Sequence, residues 1–151
     1  MPKMLFTIPE GRFSDSQIVA VQAEMVARYQ HLMQSNDAVL CFWSVLPQGQ
    51  SYVAGQQDDI YIALIEVPEN FNQEHREELL LKFNEAFAEA AGISLEKPLI
   101  TMADSSKVDE YLSANRNRLK SFSKLSFLIG TMVHAYRSKK QHGFAALPTN
   151  L

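Results

Sequence analysis

The chain has 151 residues, a length that fits one domain (1–151) with a hydrophobic core of its own. Hydrophobic residues make up 46% and charged residues 21%, which argues against a disordered chain. The formal net charge of −3 excludes a general attraction to nucleic acid, and no apolar run approaches the ~20 residues of a membrane-spanning helix. A single cysteine, Cys41, and a start without a signal-peptide pattern predict a cytoplasmic protein.

The first part of the chain predicts a strand, a helix and a second strand. The apolar run 3–8 is typical of a buried strand. Ser14 lies three residues before Gln17, which is the spacing of a capping box at the start of a helix over about 15–34. The apolar stripe of that helix consists of Ile18, Val21, Met25, Tyr29 and Leu32. The run 38–46 is rich in β-branched and aromatic residues and predicts the second strand.

The same order of elements returns after a short predicted hairpin near 52–57. The apolar run 60–67 predicts a third strand, and 98–102 predicts a fourth. Between them, glutamates early in the segment and a glycine at its end, Gly92, indicate the first turns and the C-cap of a helix. The glutamates are Glu74, Glu77 and Glu78.

Aligning Ile8-Pro9-Glu10 with Val67-Pro68-Glu69 brings the two halves, about 2–46 and 59–103, into register. The sequence therefore predicts an α+β fold in which a duplicated β-α-β unit forms a four-stranded sheet. Right-handed crossovers place both helices on one face of the sheet, and the hairpin and a helical tail (104–151) are added to it. The other face is left bare, so we expect other copies of the chain to cover it.

The tail carries an apolar stripe at helical spacing, and a basic end follows it. The stripe consists of Leu125, Leu128, Ile129, Met132, Val133 and Tyr136. Arg137, Lys139 and Lys140 follow, at the negative end of the helix dipole. We expect the helix to pack against the body or a neighbouring subunit, and the alternative is a lipid- or nucleic-acid-binding role for its basic end.

A proline directly after the first methionine opens the first strand of the repeat. This arrangement resembles the tautomerase superfamily, and most of all its cis-3-chloroacrylic acid dehalogenase-like group, from Pro2 to about Tyr111. The clearest stretches are Pro2 with its strand, Pro47 to Gly55, and Asp109-Glu110-Tyr111. The resemblance implies a homotrimer and an enzyme that moves protons without a cofactor.

Pro2 is the predicted catalytic residue. Methionine aminopeptidase generally removes a methionine that precedes proline, which would leave a secondary amine at the amino terminus. In an apolar pocket, desolvation would lower the pKa of that amine toward neutrality. The amine could then act as general base or general acid near pH 7. If Met1 stays attached, this chemistry is impossible because the nitrogen is an amide.

The resemblance also implies further site residues. It points to Glu110 as a carboxylate that activates water or assists Pro2, and to Tyr29 where relatives place a histidine. The candidate substrate-binding residues are His31, two residues further on, Arg12 after the first strand and Asn70 after the third strand. Where dehalogenating relatives carry two arginines that grip a carboxylate, this chain has Val67 and Asn70. Arg116 or Arg118 could act across a subunit boundary.

Three functions follow from these residues as hypotheses. The first is a tautomerase that acts on a small enol or 2-keto acid, a carboxylate substrate, with Pro2 as base. The second is a cofactor-free hydratase or dehalogenase of a haloacrylate-like acid, and the third is an inactive oligomeric binding protein of the same fold. No metal site is predicted, since the four histidines show no metal-ligand spacing with carboxylates or Cys41.

Overall fold

The computed structural model describes residues 1–117 and 121–148, with the side chains of 115–117 and 121–123 left out. Strands and helices alternate along most of this part of the chain. In order they are β1 (Lys3–Pro9), α1 (Asp15–Leu32), β2 (Leu40–Leu46), β3 (Tyr52–Val53), β4 (Gln56–Gln57), β5 (Tyr61–Val67), α2 (Gln73–Ala91), β6 (Pro98–Asp104), α3 (Ser105–Asn117) and α4 (Ser121–His142).

Four strands form one sheet in the order β2-β1-β5-β6. β1 is parallel to β2, and β5 is parallel to β6, as expected where a helix connects the two strands of each pair. The pairs meet antiparallel at β1 and β5, where Met4 lies opposite Ile65. The predicted α+β fold of two β-α-β units in one sheet is therefore confirmed, and β3 and β4 form the predicted hairpin.

The hydrophobic core lies between the sheet and the two crossover helices. Alternate residues of β1 point into it: Met4, Phe6 and Ile8 are at most 2% exposed, whereas Lys3, Leu5 and Thr7 on the other face are half-buried. Phe6 stacks on Trp43 of β2 with 4.3 Å between ring centroids, and it also stacks on Phe87 of α2. Burying each such side chain stabilises the fold by about 1.5–3 kcal/mol.

Local signals fix the ends of both crossover helices. Ser14 caps α1 and forms the predicted capping box with Gln17. α1 ends at Leu32, two residues before its predicted end, and Gln34 beyond it adopts a positive φ of 50°. In α2 the amide N–H of Glu74 donates to the side chain of Asn72, and Gly92 ends the helix at φ 66°, which only glycine adopts without strain.

The second face of the sheet is covered at one end by α3. α3 packs against β5 and β6, and its Val108 is 2% exposed. The middle of this face keeps the apolar row Phe42, Leu5 and Leu64 on neighbouring strands, which is half-buried. The expectation of a bare second face therefore describes the middle of the sheet but not the end beneath α3.

The described part of the tail includes a short extended segment along the β2 edge, which was not predicted. The Trp43 N–H donates to the carbonyl of Ala145 at 3.0 Å, and the Leu147 N–H donates to the carbonyl of Trp43 at 2.7 Å. Phe144 is 5% exposed and meets Trp43 edge to face. Ser138 of α4 is buried and donates to the Phe144 carbonyl. These contacts hold the end of α4 against the body.

The apolar stripe of α4 is exposed in the single chain. Its six side chains, Leu125 to Tyr136, are between 41% and 72% exposed. Packing of this stripe against the body of the same chain is therefore not observed, and packing against a neighbouring subunit stays a prediction. No helix within the described ranges combines the length and apolar character that crossing a bilayer takes.

Candidate functional site

The sheet has two chemically different ends. One end is called the Pro2 end. β1 begins there, β5, β6 and α1 finish there, and α2 and α3 start there. At the opposite end, named the Arg12 end, β1 and β2 finish, α1 starts, and the hairpin leads into β5. The antiparallel meeting of β1 and β5 creates this division, because it puts the start of one strand beside the finish of the other.

Pro2 lies at the start of β1 and is half-buried. Its carbonyl accepts a hydrogen bond from the Leu40 N–H at 2.9 Å, which ties it to the start of β2. Continuing the pairing of Met4 with Ile65 by two residues places Pro2 opposite Val67, and Val67 pairs with Asp104 on β6. The backbones of Pro2 and Asp104 are thus two strand spacings apart, about 10 Å.

Tyr29 reaches the Pro2 end from the last turns of α1. Its side chain lies in the core at 4% exposure, and its hydroxyl donates to the main-chain carbonyl of Glu66 at 3.1 Å. Burial, and then the nearby carboxylates of Glu66 and Asp37, raise the pKa of the Tyr29 phenol to about 12. The phenol is therefore protonated at neutral pH and can serve as a hydrogen-bond donor, but not as a phenolate base.

A charged bridge that the sequence did not reveal lies on the second face at the same end. The Lys3 ammonium is 2.9 Å from a carboxylate oxygen of Glu66 on β5 and 3.3 Å from one of Asp109 on α3. The Lys3 and Glu66 side chains are 22% and 8% exposed, whereas that of Asp109 is 67% exposed. The hydrogen bond to Glu66 raises the pKa of Lys3 above its ordinary value, with a smaller contribution from Asp109.

Arg76, in the first turns of α2, is a second cation at this end that sequence reasoning missed. It forms an ion pair with Asp104 at the end of β6 and donates to the Phe71 carbonyl at 2.9 Å. Its side chain is 16% exposed and lies over the Phe71 ring. Arg76 was open to prediction, because a basic residue is unusual in the first turn of a helix, where the dipole favours acidic side chains such as Glu74.

Glu110 is exposed on α3, next to Asp109 in the chain. Its carboxylate accepts a hydrogen bond from Lys107 at 2.9 Å, and that bond lowers the pKa of Glu110 below its ordinary value. His31 is exposed in the last turn of α1, and Asn70 is exposed in the turn after β5 with a positive φ of 56°. The elements that carry Tyr29, His31, Asn70 and Glu110 thus all reach the Pro2 end.

Arg12 lies at the other end of the sheet. The strand between Pro2 and Arg12 is seven residues long, which separates the two by more than about 20 Å at the rise of a β-strand. Arg12 forms an ion pair with Asp59 at 2.7 Å and lines a cleft of about 410 Å³ together with residues of the hairpin region. The structure therefore does not bring Arg12 and Pro2 together within one chain.

Cys41 and the two arginines late in the chain complete the residues considered from the sequence. The Cys41 thiol is partly buried, and burial raises its pKa to about 11, so it stays protonated. Arg118 lies outside the described residues, as does the side chain of Arg116. Within the described ranges, no group of three or more histidine, cysteine or acidic residues could hold a metal ion.

Comparison with known proteins gives matches to solved structures alone. No protein-family model matches the chain, and no curated protein matches it. A native fused 4-OT superposes with a TM-score of 0.61 and 13% identity over 68% of this chain and 85% of that one. Pt0534 inactivated by 2-oxo-3-pentynoate gives 0.59 and 19% identity over 68% and 84%.

A third match is N1, a member of the cis-3-chloroacrylic acid dehalogenase family. It gives a TM-score of 0.61 and 12% identity over 68% of this chain and 73% of that one. Other fused 4-OT structures that match are described as symmetric or asymmetric trimers. Identities this low establish the architecture alone. The chain therefore has the fold of these fused 4-OT and cis-3-chloroacrylic acid dehalogenase-family structures.

Proposed function

We propose that the chain is a proline-based tautomerase that moves a proton on a small enol or 2-keto acid in the cytoplasm. The observation that carries the proposal is the position of Pro2. It heads a central strand of the sheet, at the end where α1 finishes and α2 and α3 start, in a chain with the fold of fused 4-OT. One match with this fold is described as inactivated by 2-oxo-3-pentynoate, itself a 2-keto compound.

The reaction requires that Met1 be removed. The free Pro2 amine would then take the hydroxyl proton of the enol, and the resulting ammonium would return a proton to carbon. The net result is an isomerisation with no change in oxidation state. The neutral Tyr29 phenol can stabilise the developing oxyanion if it turns from the Glu66 carbonyl to the substrate. The ionised Glu110 is the alternative assistant, as a base.

The substrate carboxylate needs a cationic or hydrogen-bonding partner. Asn70 and His31 lie on elements that reach the Pro2 end, and we propose them as substrate-binding residues. Arg12 is too distant within one chain, so its contribution requires a second copy whose Arg12 end meets the Pro2 end of the first. We propose a homotrimer for this reason, and because matched structures with this fold are described as trimers.

Intact mass spectrometry before and after treatment with 3-bromopropiolate tests the proposal. We expect Met1 to be absent and a single adduct to map to Pro2. The matched control is Pro68→Ala, since Pro68 is an exposed proline in a turn. That variant should label like wild type. Retention of Met1, or labelling that leaves Pro2 untouched, would show that the fold serves as a binding scaffold instead.

The dehalogenase hypothesis is tested separately by halide release from 3-chloroacrylates. Val67 is 1% exposed in the core, and Asn70 carries no charge, so neither supplies the carboxylate clamp that the resemblance implies. No observation among the described residues favours this activity over proton transfer alone. Halide release that depends on Pro2 would nevertheless replace the tautomerase proposal.

A further inference from the structure

We infer that Lys3 is a positioning residue for the proposed proline site, because it fastens α3 to the start of β1. The inference rests on the proposed role of Pro2. Lys3 follows Pro2 directly, and its ammonium bridges Glu66 on β5 and Asp109 on α3. One side chain therefore joins the amino-terminal strand, its neighbour in the sheet and the helix that crosses the second face.

The Lys3–Glu66 pair is covered by α3. Both side chains point to the face of the sheet opposite the core, since Met4 and Ile65 beside them are buried on the other face. That face is half-buried in the middle of the sheet, but Glu66 is 7% exposed overall. A carboxylate at this depth is costly without a cation, and Lys3 is the cation that contacts it.

Among the described side chains, two other attachments of α3 lie in its first turn. The Glu69 carboxylate accepts hydrogen bonds from the Ser106 N–H and from the Ser105 hydroxyl, at 3.2 Å for the latter. Val108 is buried. The contact between Lys3 and Asp109 is the next attachment along the helix, and Glu110 follows it directly. Lys3 thus determines how closely the turn that carries Glu110 lies to β1.

The same contact restrains the amino terminus. Chain termini are usually poorly ordered unless something ties them down. Pro2 is held through its carbonyl by Leu40 on β2, and the next residue is held through its side chain by β5 and α3. With both restraints present, the Pro2 nitrogen has a defined position relative to α3. Without the Lys3 side chain, the start of β1 keeps its pairing with β2 and β5 but loses its contact with α3.

Asp109→Asn tests the inference with little risk to folding, because Asp109 is exposed and the buried Lys3–Glu66 pair stays intact. We expect amide hydrogen exchange in the second turn of α3 to become about tenfold faster. The rate of Pro2 labelling by 3-bromopropiolate should change by between about 3- and 30-fold, as expected when a reacting group is misplaced. Asp109→Glu keeps the charge and should restore both rates.

The double variant Lys3→Met with Glu66→Gln removes the bridge without leaving a buried carboxylate unpaired. It should reproduce the effect of Asp109→Asn, and Lys3→Arg should retain wild-type rates. Lys82→Met is the matched control, since it removes an ion pair with Glu78 on the surface of α2. It should change neither the exchange of α3 nor the labelling of Pro2.

The possible results separate this inference from the proposed function. If Pro2 labels in wild type and labels equally fast in Asp109→Asn and in the double variant, Lys3 has no positioning role. If Pro2 does not label even in wild type, the proposed function fails. Hydrogen exchange still decides in that case whether Lys3 holds α3, because that measurement does not depend on activity.

Discussion

The Pro2 end and the Arg12 end of the sheet both carry ion pairs but bury them differently. At the Pro2 end, the Lys3–Glu66 side chains are 22% and 8% exposed, and α3 covers them. At the Arg12 end, the Arg12–Asp59 side chains are 59% and 29% exposed and lie on turns. Buried charges are costly and sensitive to the loss of a partner, whereas exposed pairs contribute little. The comparison identifies the Pro2 end as the one with constrained polar groups.

The two β-α-β halves also differ in the residue that stands at the position of Pro2. Aligning Ile8 with Val67 sets an offset of 59 residues, because 67 − 8 = 59. Position 2 in the first half then corresponds to position 61 in the second. Tyr61 occupies that position and is buried at 5% exposure. Duplication of the fold therefore did not duplicate the proline, and we expect one proline site in each chain.

The largest effect is expected from Pro2→Ala. If Pro2 is the general acid–base residue, the substitution should lower kcat/KM for an enol substrate by about 10²–10⁴-fold. The rate of tautomerisation, measured by ultraviolet absorbance, tests this prediction. Pro9→Ala would be a poor control because Pro9 is buried in the sheet, so exposed Pro68→Ala serves instead. If Pro2→Ala has the same kcat/KM as wild type, the Pro2 end has no catalytic role that distinguishes it from the Arg12 end.

The second prediction compares one lysine from each end in urea denaturation. Lys3→Met leaves the Glu66 carboxylate buried without its cation, and should lower the free energy of unfolding by about 2 kcal/mol. The loss is smaller than for a fully buried pair because Lys3 is 22% exposed. Lys97→Met breaks the exposed pair with Asp58 at the Arg12 end and should leave stability unchanged. If both substitutions lowered the free energy of unfolding equally, the two ends would not differ in how strongly they bury their ion pairs.

A third prediction concerns Tyr29 and alkaline pH. The folded-state pKa of its phenol, about 12, lies above the ordinary value of 10.0. The proton is therefore bound more tightly in the folded state, so stability that is present below pH 10 should be lost as the pH rises toward 12. Thermal unfolding of wild type and Tyr29→Phe across this window measures it.

Tyr29→Phe should flatten that alkaline decline. At neutral pH it should cost about 1–1.5 kcal/mol, through loss of the hydrogen bond to the Glu66 carbonyl. Tyr52→Phe is a suitable control because Tyr52 is 60% exposed on the hairpin. An unchanged pH dependence in Tyr29→Phe would show that another group causes the decline.

The smallest effect is expected where the tail reaches α1 at the Arg12 end. Gly143 has a φ of 86°, and a Cβ there would lie 2.9 Å from Cγ2 of Val19. Gly143→Ala should therefore lower stability by about 1 kcal/mol, measured by urea denaturation. Gly130→Ala on α4 meets nothing within 4 Å and should stabilise the helix slightly. If Gly143→Ala leaves the free energy of unfolding unchanged, the tail can move away from Val19 without a measurable cost.

Much of the fold was predictable because its signals are local. The capping box at Ser14, the helix end at Gly92 and the apolar periodicity of α1 and α2 all depend on residues within a few positions of one another. The exposed stripe of α4 was likewise predicted as a helix face. What it packs against was not predictable, because periodicity shows that a face is apolar but not which surface covers it.

The sequence by itself determined the order of the two β-α-β units, the helix caps and the place of Pro2 at the head of the first strand. The tertiary structure alone decided which groups surround Pro2. Lys3 contacts Glu66 and Asp109 across separations of 63 and 106 residues, and Ala145 reaches Trp43 from the tail. Such contacts arise when the sheet brings distant elements together. These partners are needed because burying a charge or a backbone polar group without one is costly. That cost depends on the folded arrangement, so a local sequence pattern does not show it.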